Sequence, residues 1–253
     1  MSNVRRYPDA VSAAQACGRR AMELLAQTLA GREWATLAIS GGSSPRPMFE
    51  LFGNSRFPWN RVHVFWVDER YVPPNDPQSN FRMANETWLS PAKVPAENIH
   101  RVPTELEPHE AAHEYAENMK ALFGVRPGSV PRLDVIHRGM GPDAHTASLF
   151  PGELLITSSN DPNNDPDNGQ GENVAAAVWV EKMHQWRITL LPAVLEAARH
   201  TVILATGEDK APALHAVMRG PYEPMSFPAQ IAAKEATWFI DEAAGAMLTQ
   251  EPE

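Results

Sequence analysis

The sequence predicts a Rossmann-like, doubly wound α/β fold: a mostly parallel sheet with helices on both faces. Three observations predict it. Short apolar runs alternate with stretches of helical spacing, the alternation continues across the 253 residues, and four of the runs end in polar, charged or glycine-bearing segments.

The elements follow in order. Behind Pro8-Asp9, apolar residues at Val11, Ala14, Cys17, Ala21, Leu24, Leu25 and Leu29 keep helical spacing, and Gly31 offers a stop. Trp34 to Ser40, WATLAIS, predicts a short buried strand running into Gly41-Gly42-Ser43-Ser44-Pro45, and Pro45 to Phe52 resumes helical spacing. Val62 to Glu69, VHVFWVDE, predicts a second strand and Leu133 to Ile136 a third, with a helix over about Glu107 to Phe123 between them. Thr201 to Gly207 predicts another strand, followed by a helix from about Glu208 to Arg219. Ala236 to Ile240 predicts the last strand, before a C-terminal helix. Residues Ser158 to Asn173, SSNDPNNDPDNGQGEN, are too polar to bury a core. Because the strand-helix pattern resumes behind them, they predict a mobile loop within one domain, 1–253.

Composition excludes several classes. With 43% apolar and 21% charged residues the chain has an ordinary globular balance. A formal charge of −9 opposes long-range attraction to nucleic acid or anionic membranes, so neither is expected as a partner. A single cysteine, Cys17, forbids an intrachain disulfide and suits a reducing compartment, so a cytoplasmic location is expected. No run approaches the roughly 18 apolar residues of a membrane span. Arg5-Arg6 is followed by Tyr7-Pro8-Asp9, not by the apolar segment of a secretory signal.

In doubly wound folds ligands bind at the carboxyl ends of strands. Those ends read SGGSSP, DERYV, GMGPDAH and GEDK. In the first, Gly41 and Gly42 let backbone amides approach an anion and Ser43 and Ser44 add donors, although a tight strand-helix turn explains the same residues. In the second, Asp68 and Arg70 follow an apolar strand, where charge is costly unless solvated or paired, which favours a cleft over a surface turn. In the third, His145 sits where a glycine turn enters a predicted helix behind a cap at Asp143 or Gly141. The positive helix end would disfavour imidazolium and suit a general base, while a capping histidine is the plainer alternative. In the fourth, Lys210 opens a helix, where the dipole prefers an anion; Lys210 and Arg187 together suit a phosphate clamp. His109 and His113 are four apart on a helix with no third ligand, so no metal site is expected.

Taken together, the chain resembles the 6-phosphogluconolactonase family, within the group that includes glucosamine-6-phosphate deaminases and phosphosugar isomerases. The resemblance rests on Ser40 to Pro45, Asp68 to Pro73, Ser79-Asn80, Gly139 to Gly152, Arg187 to Leu190, and Gly207 with Lys210. It implies hydrolysis of 6-phosphoglucono-1,5-lactone without cofactor or metal; whether the enzyme is a monomer or a small homo-oligomer is left open by the sequence. His145 would activate water, Asp143 would orient the site, and Gly41, Gly42, Ser43, Ser44, Arg187 and Lys210 would hold the phosphate. Arg70 and Asp68 would line the same pocket.

Two rivals differ in the residues they need. The related deaminases carry an acidic residue near the Pro-Gly that closes the histidine motif, where this chain has Phe150 before Pro151-Gly152, and a Tyr where this chain has Arg70. A phosphosugar sensor should carry a DNA-binding helix-turn-helix, which the acidic chain does not suggest. The chain also departs from the family twice. Ala144 replaces the usual Gly between Asp143 and His145, so any requirement for positive φ there would be met at a cost. His137-Arg138 replace apolar residues before Gly139.

Overall fold

In the computed structural model, which describes residues 3–126, 128–157 and 173–248, Asp9 starts the first helix. Its carboxylate accepts from Ser12 N at 2.7 Å, and α1 (Ala10–Leu29) buries the predicted stripe of Ala14, Cys17, Ala21, Leu24 and Leu25. The next strand, β2 (Ala35–Ile39), is buried along its whole length, as an apolar run covered on both faces must be. It leads through the glycine-serine turn into α2 (Arg46–Gly53).

The chain then forms β3 (Val62–Trp66), β4 (Asp68–Arg70), α3 (Asn80–Ala84), β5 (Ile99–His100), α4 (Pro108–Phe123) and β6 (Val135–Gly139). After the polar stretch come β7 (Ala175–Val180), β8 (Gln185–Leu190), α5 (Pro192–Ala197), β9 (His200–Ala205), α6 (Ala211–Arg219) and β10 (Thr237–Asp241). The polar stretch at 158–173 lies outside the described residues except for Asn173. No helix among the described residues is long and apolar enough to cross a membrane.

Seven described strands pair in parallel in the order β1-β10-β9-β6-β2-β3-β5, where β1 (Asn3–Tyr7) is an edge strand ahead of α1. From β2 the chain proceeds outward through β3 and β5, then returns to lay β6 on the other flank of β2. The order therefore reverses between β2 and β6. Sequence order reverses where the crevice at the strand ends opens, and such a point is where doubly wound folds bind ligands.

Four expectations need correction. The run Val62 to Glu69 is two strands: Val67 donates to Ile39 O at 2.8 Å and accepts from Leu190 N at 2.8 Å, stitching the parallel sheet to a second, antiparallel one. Asp68 to Arg70 belong to that second sheet, ordered β4-β8-β7. The strand expected to end at Ile136 runs on to Gly139, so His137 and Arg138 lie inside it. The expected C-terminal helix is, in the described part, only a short turn of 3-10 helix at Ala246–Leu248. No helix follows His145; residues 142–149 are successive turns, with Ala144 N bonded to Gly141 O and Leu149 N to Thr146 O.

Candidate active site

The site begins at the reversal. Ser40 N donates to His137 O at 3.0 Å, tying the ends of β2 and β6 together. The chain then turns through Gly42 at φ +96°, a conformation that favours glycine, and enters α2 with no side-chain cap. The first amides of α2 are engaged, Arg46 N donating to Ser43 O at 3.3 Å and Met48 N to Pro45 O at 2.9 Å, so the amides offered to an anion are those of the turn ahead of it, Gly41 to Ser44. Ser44 Oγ is 3.4 Å from Thr206 Oγ1 at the end of β9, and Lys210 follows at the entry to α6, its ammonium 2.7 Å from Asp209 Oδ2.

Opposite stands the second sheet. Glu69 is buried and accepts from the amides of Arg70, Asn80 and Phe81, each at 2.8 Å, and from Ser79 Oγ at 3.1 Å. Burial pushes its carboxyl up, and the amide bonds oppose that. Glu69 thereby fixes the start of α3, and Asn80 Nδ2 in turn holds Asp68 O at 2.8 Å. With its neighbour locked, Asp68 points its carboxylate at Ser148 Oγ, 2.8 Å away, and lies 3.9 Å from Arg187 Nη1. Arg187 is 9% exposed; burial lowers its guanidinium below the ordinary arginine value, and Asp68 opposes that. Arg70 reaches Gln78 O with Nη1 at 2.7 Å, while its buried Nε has no partner among the described residues.

The third wall is the loop after β6. His145 Nδ1 lies 2.5 Å from Asp143 Oδ1, and Lys182 Nζ holds the other oxygen, Oδ2. Burial would raise the Asp143 carboxyl, yet the hydrogen bonds from His145 and Lys182 outweigh it and hold the group well below the usual carboxylate range. A carboxylate only accepts, so Nδ1 carries a proton, and in the neutral ring Nε2 holds the lone pair. The loop passes so close behind the ring that a Cβ at Gly141 would collide with the His145 imidazole. With no helix there, the helix-end field expected to act on His145 is absent, and the Asp143–Lys182 pair sets its surroundings instead.

These walls enclose one cavity of about 220 Å³. It is lined by every expected residue except Asp143: Gly41, Gly42, Ser43, Ser44, Asp68, Arg70, His145, Arg187 and Lys210 all face it, and Asp143 stands behind His145. Asn80, His137, Ala147 and Thr206 also line it, and Lys182 supports it from the β7–β8 connection. Sequence reasoning singled out none of these for the pocket. Ser79-Asn80 carried a hint, as a polar pair at a helix start; Lys182 carried none. Among the described residues no three His, Cys, Asp or Glu side chains are grouped as metal ligands.

A family model described as glucosamine-6-phosphate isomerases/6-phosphogluconolactonase matches residues 8–240. The chain belongs to that family. Among its relatives, the 6-phosphogluconolactonase of Nostoc sp. is 38% identical over 224 residues, covering 85% of each chain. That of Synechocystis sp. is 34% identical over 234 residues, covering 88% of this chain and 89% of its own. A crystal structure of 6-phosphogluconolactonase from Thermotoga maritima superposes with a TM-score of 0.78 at 26% identity, over 95% of this chain and all of that one.

Within the glucosamine-6-phosphate isomerase/6-phosphogluconolactonase family, the two departures now have structural answers. Ala144 does adopt positive φ, +63°, and is held there because its carbonyl accepts from Ala229 N at 2.8 Å. His137 and Arg138 project to opposite faces of β6. His137 packs edge-on to Phe49 of α2, whereas Arg138, fully buried, donates to Ile231 O and reaches Thr146 Oγ1 at 3.5 Å.

Proposed function

We propose that this protein hydrolyses 6-phosphoglucono-1,5-lactone to 6-phosphogluconate, the second step of the oxidative pentose phosphate pathway, with His145 activating water. The observation that carries the reading is a single cavity that an Asp143-held His145 lines together with a glycine-serine turn, two arginines and a lysine. A lactone carbonyl is already electrophilic, so a placed base and a cation for the developing charge suffice.

The steps follow from those groups. His145 Nε2 takes a proton from water as the water oxygen bonds to the lactone carbonyl carbon. The carbonyl oxygen becomes an oxyanion. Gly141 N is already donated to His145 O at 2.9 Å, which supports Arg70, with its unpartnered Nε, as the stabilising group. Collapse of the intermediate breaks the bond to the ring oxygen, and the imidazolium returns its proton to that alkoxide. The product is a carboxylic acid and a hydroxyl; the acid gives up water's second proton to solvent, and His145 is neutral again. The phosphate is held by the turn Gly41-Gly42-Ser43-Ser44 at the start of α2, with Lys210 and Arg187 supplying charge. Ser44 is paired with Thr206 rather than with a base, which supports direct attack by water over an acyl-serine route.

The packing of Phe150 favours the lactonase over the amino-sugar deaminase. Its ring centre lies 4.4 Å from that of His145, so an apolar ring packs there in place of the acidic side chain that the deaminases carry in this motif. The reading carries no cofactor or metal. It places the enzyme in the cytoplasm as a monomer or small homo-oligomer with no nucleic-acid or membrane partner; the buried Cys17 and the charge of −9 support this.

Purified protein with chelator present should accelerate 6-phosphogluconolactone hydrolysis well above the spontaneous rate. Lys210→Ala should raise KM for that substrate about 10- to 100-fold, the loss of a charge-assisted phosphate contact, and leave hydrolysis of unphosphorylated gluconolactone nearly unchanged. Equal losses on both lactones would remove Lys210 from the phosphate site.

A further inference from the structure

We infer that Lys182 is a positioning residue for the His145 base: from the tip between β7 and β8 it grips Asp143 on the oxygen that His145 leaves free. The inference rests on the function proposed above and adds a part that the fold, not the histidine motif, supplies.

Four side chains form a closed ring of contacts. Lys182 Nζ donates to Asp143 Oδ2, and Asp143 Oδ1 accepts from His145 Nδ1 at 2.5 Å. The His145 ring lies 4.4 Å from Phe150, and the Lys182 ammonium stands 4.3 Å from the centre of the same Phe150 ring. Oδ1 thus accepts from both the ring and the backbone N of His145, the latter at 3.2 Å, while Oδ2 accepts from Lys182, and the imidazole is confined between carboxylate and phenyl ring.

The tip that carries Lys182 is itself built to hold its shape. Glu181–Met183 form one turn of 3-10 helix, Trp179 Nε1 donates to Glu181 Oε2 at 2.6 Å, and His184 closes the turn at φ +46°. Met183, the next residue, places its Sδ 3.0 Å from Arg187 Nη2. One short connection thus touches the support of the base and an arginine of the phosphate site.

The charges around His145 define what Lys182 changes. Asp143 comes from its own loop and Lys182 from the β7–β8 tip. Across the cavity stand Asp68 and Arg70 of β4, Arg187 of β8 and Lys210 before α6. Asp143 alone would favour imidazolium with its full charge. Lys182 shares that charge while keeping the carboxylate in line with Nδ1, so Nε2 can both accept and return a proton. The side chain of Lys182 is half exposed, which limits its electrostatic effect and also makes it replaceable without loss of the fold.

The test compares the full chain with Lys182→Met and Lys182→Arg. In the methionine variant kcat should fall about 5- to 20-fold with KM changed less than about twofold, and the acid limb of kcat/KM should move up by about half to one pH unit. The arginine variant should restore both. The substrate phosphate titrates identically with all three enzymes, so the difference between them belongs to the protein. An NMR titration of the His145 imidazole in both variants gives a readout independent of turnover, and its midpoint should move in the same direction in Lys182→Met. An unmoved midpoint and limb would overturn the inference, even with reduced kcat, since that is what lost packing alone would do. A wild-type protein without lactonase activity but with the shifted midpoint would instead count against the function and leave the Lys182–Asp143–His145 coupling standing.

Discussion

At the scale of single residues the clearest cost is at Ala144. A left-handed conformation costs an L-residue about 1–2 kcal/mol, and here it is held by the Ala229 hydrogen bond so that His145 can follow in register. Glycine would relieve the strain but lose a buried methyl and add chain entropy, together about 1–2 kcal/mol. Ala144→Gly should therefore stay within about 1 kcal/mol of wild type in urea denaturation. Ala144→Val should lose about 2–4 kcal/mol, because a β-branched side chain at positive φ in a packed site is both strained and too large. Equal stability of the two variants would mean that the turn can relax. The meeting of His145, Lys210 and the glycine-serine turn in one cleft was legible in the sequence because each stands behind a strand end. Lys182 was not: its partner Asp143 is 39 positions away, and only the folded hairpin brings them together.

At the scale of elements, α1, α2 and α4 were legible because burial of one face gives each a helical period, and β2 and β9 because a strand covered on both faces is a short continuous apolar run. The edge strand β1, NVRRY, is mostly exposed and carries no such pattern; its pairing with β10 alone makes it a strand. The run VHVFWVDE hid a division because both halves are extended and largely buried, while the change of sheet occurs through the backbone of Val67. That division matters for the site, since it turns Asp68 and Arg70 onto a second sheet while they still line the same cavity as the glycine-serine turn. The helix expected behind His145 failed for a backbone reason as well. Ala144 and Ala147 both take positive φ, which interrupts any helix, and alanine gives no sign in a sequence that it will do so.

At the scale of the whole molecule, burial of neutral histidines sets an acid limit. Burial pushes His137 down to about 3; it also pushes His100, stacked on Phe65, down to about 4, with the neighbouring His63 adding to the shift. Because both folded values lie below the ordinary 6.5, the unfolded chain takes up protons first. Stability is therefore complete above about pH 6.5 and declines as pH falls toward 4, by roughly a few kcal/mol. Melting temperatures from pH 8 to 4 should show that decline, and His137→Leu should flatten it; an unchanged slope would assign the acid limit elsewhere. The reversal of strand order between β2 and β6 has the larger consequence, since it gathers a turn, two sheets and the histidine loop around one cavity. The most direct test of the role assigned to that cavity is the rate of 6-phosphogluconolactone hydrolysis by His145→Ala at unchanged melting temperature. A fall of about two to four orders of magnitude in kcat is expected for loss of a general base; a rate near that of the unaltered protein would contradict the account.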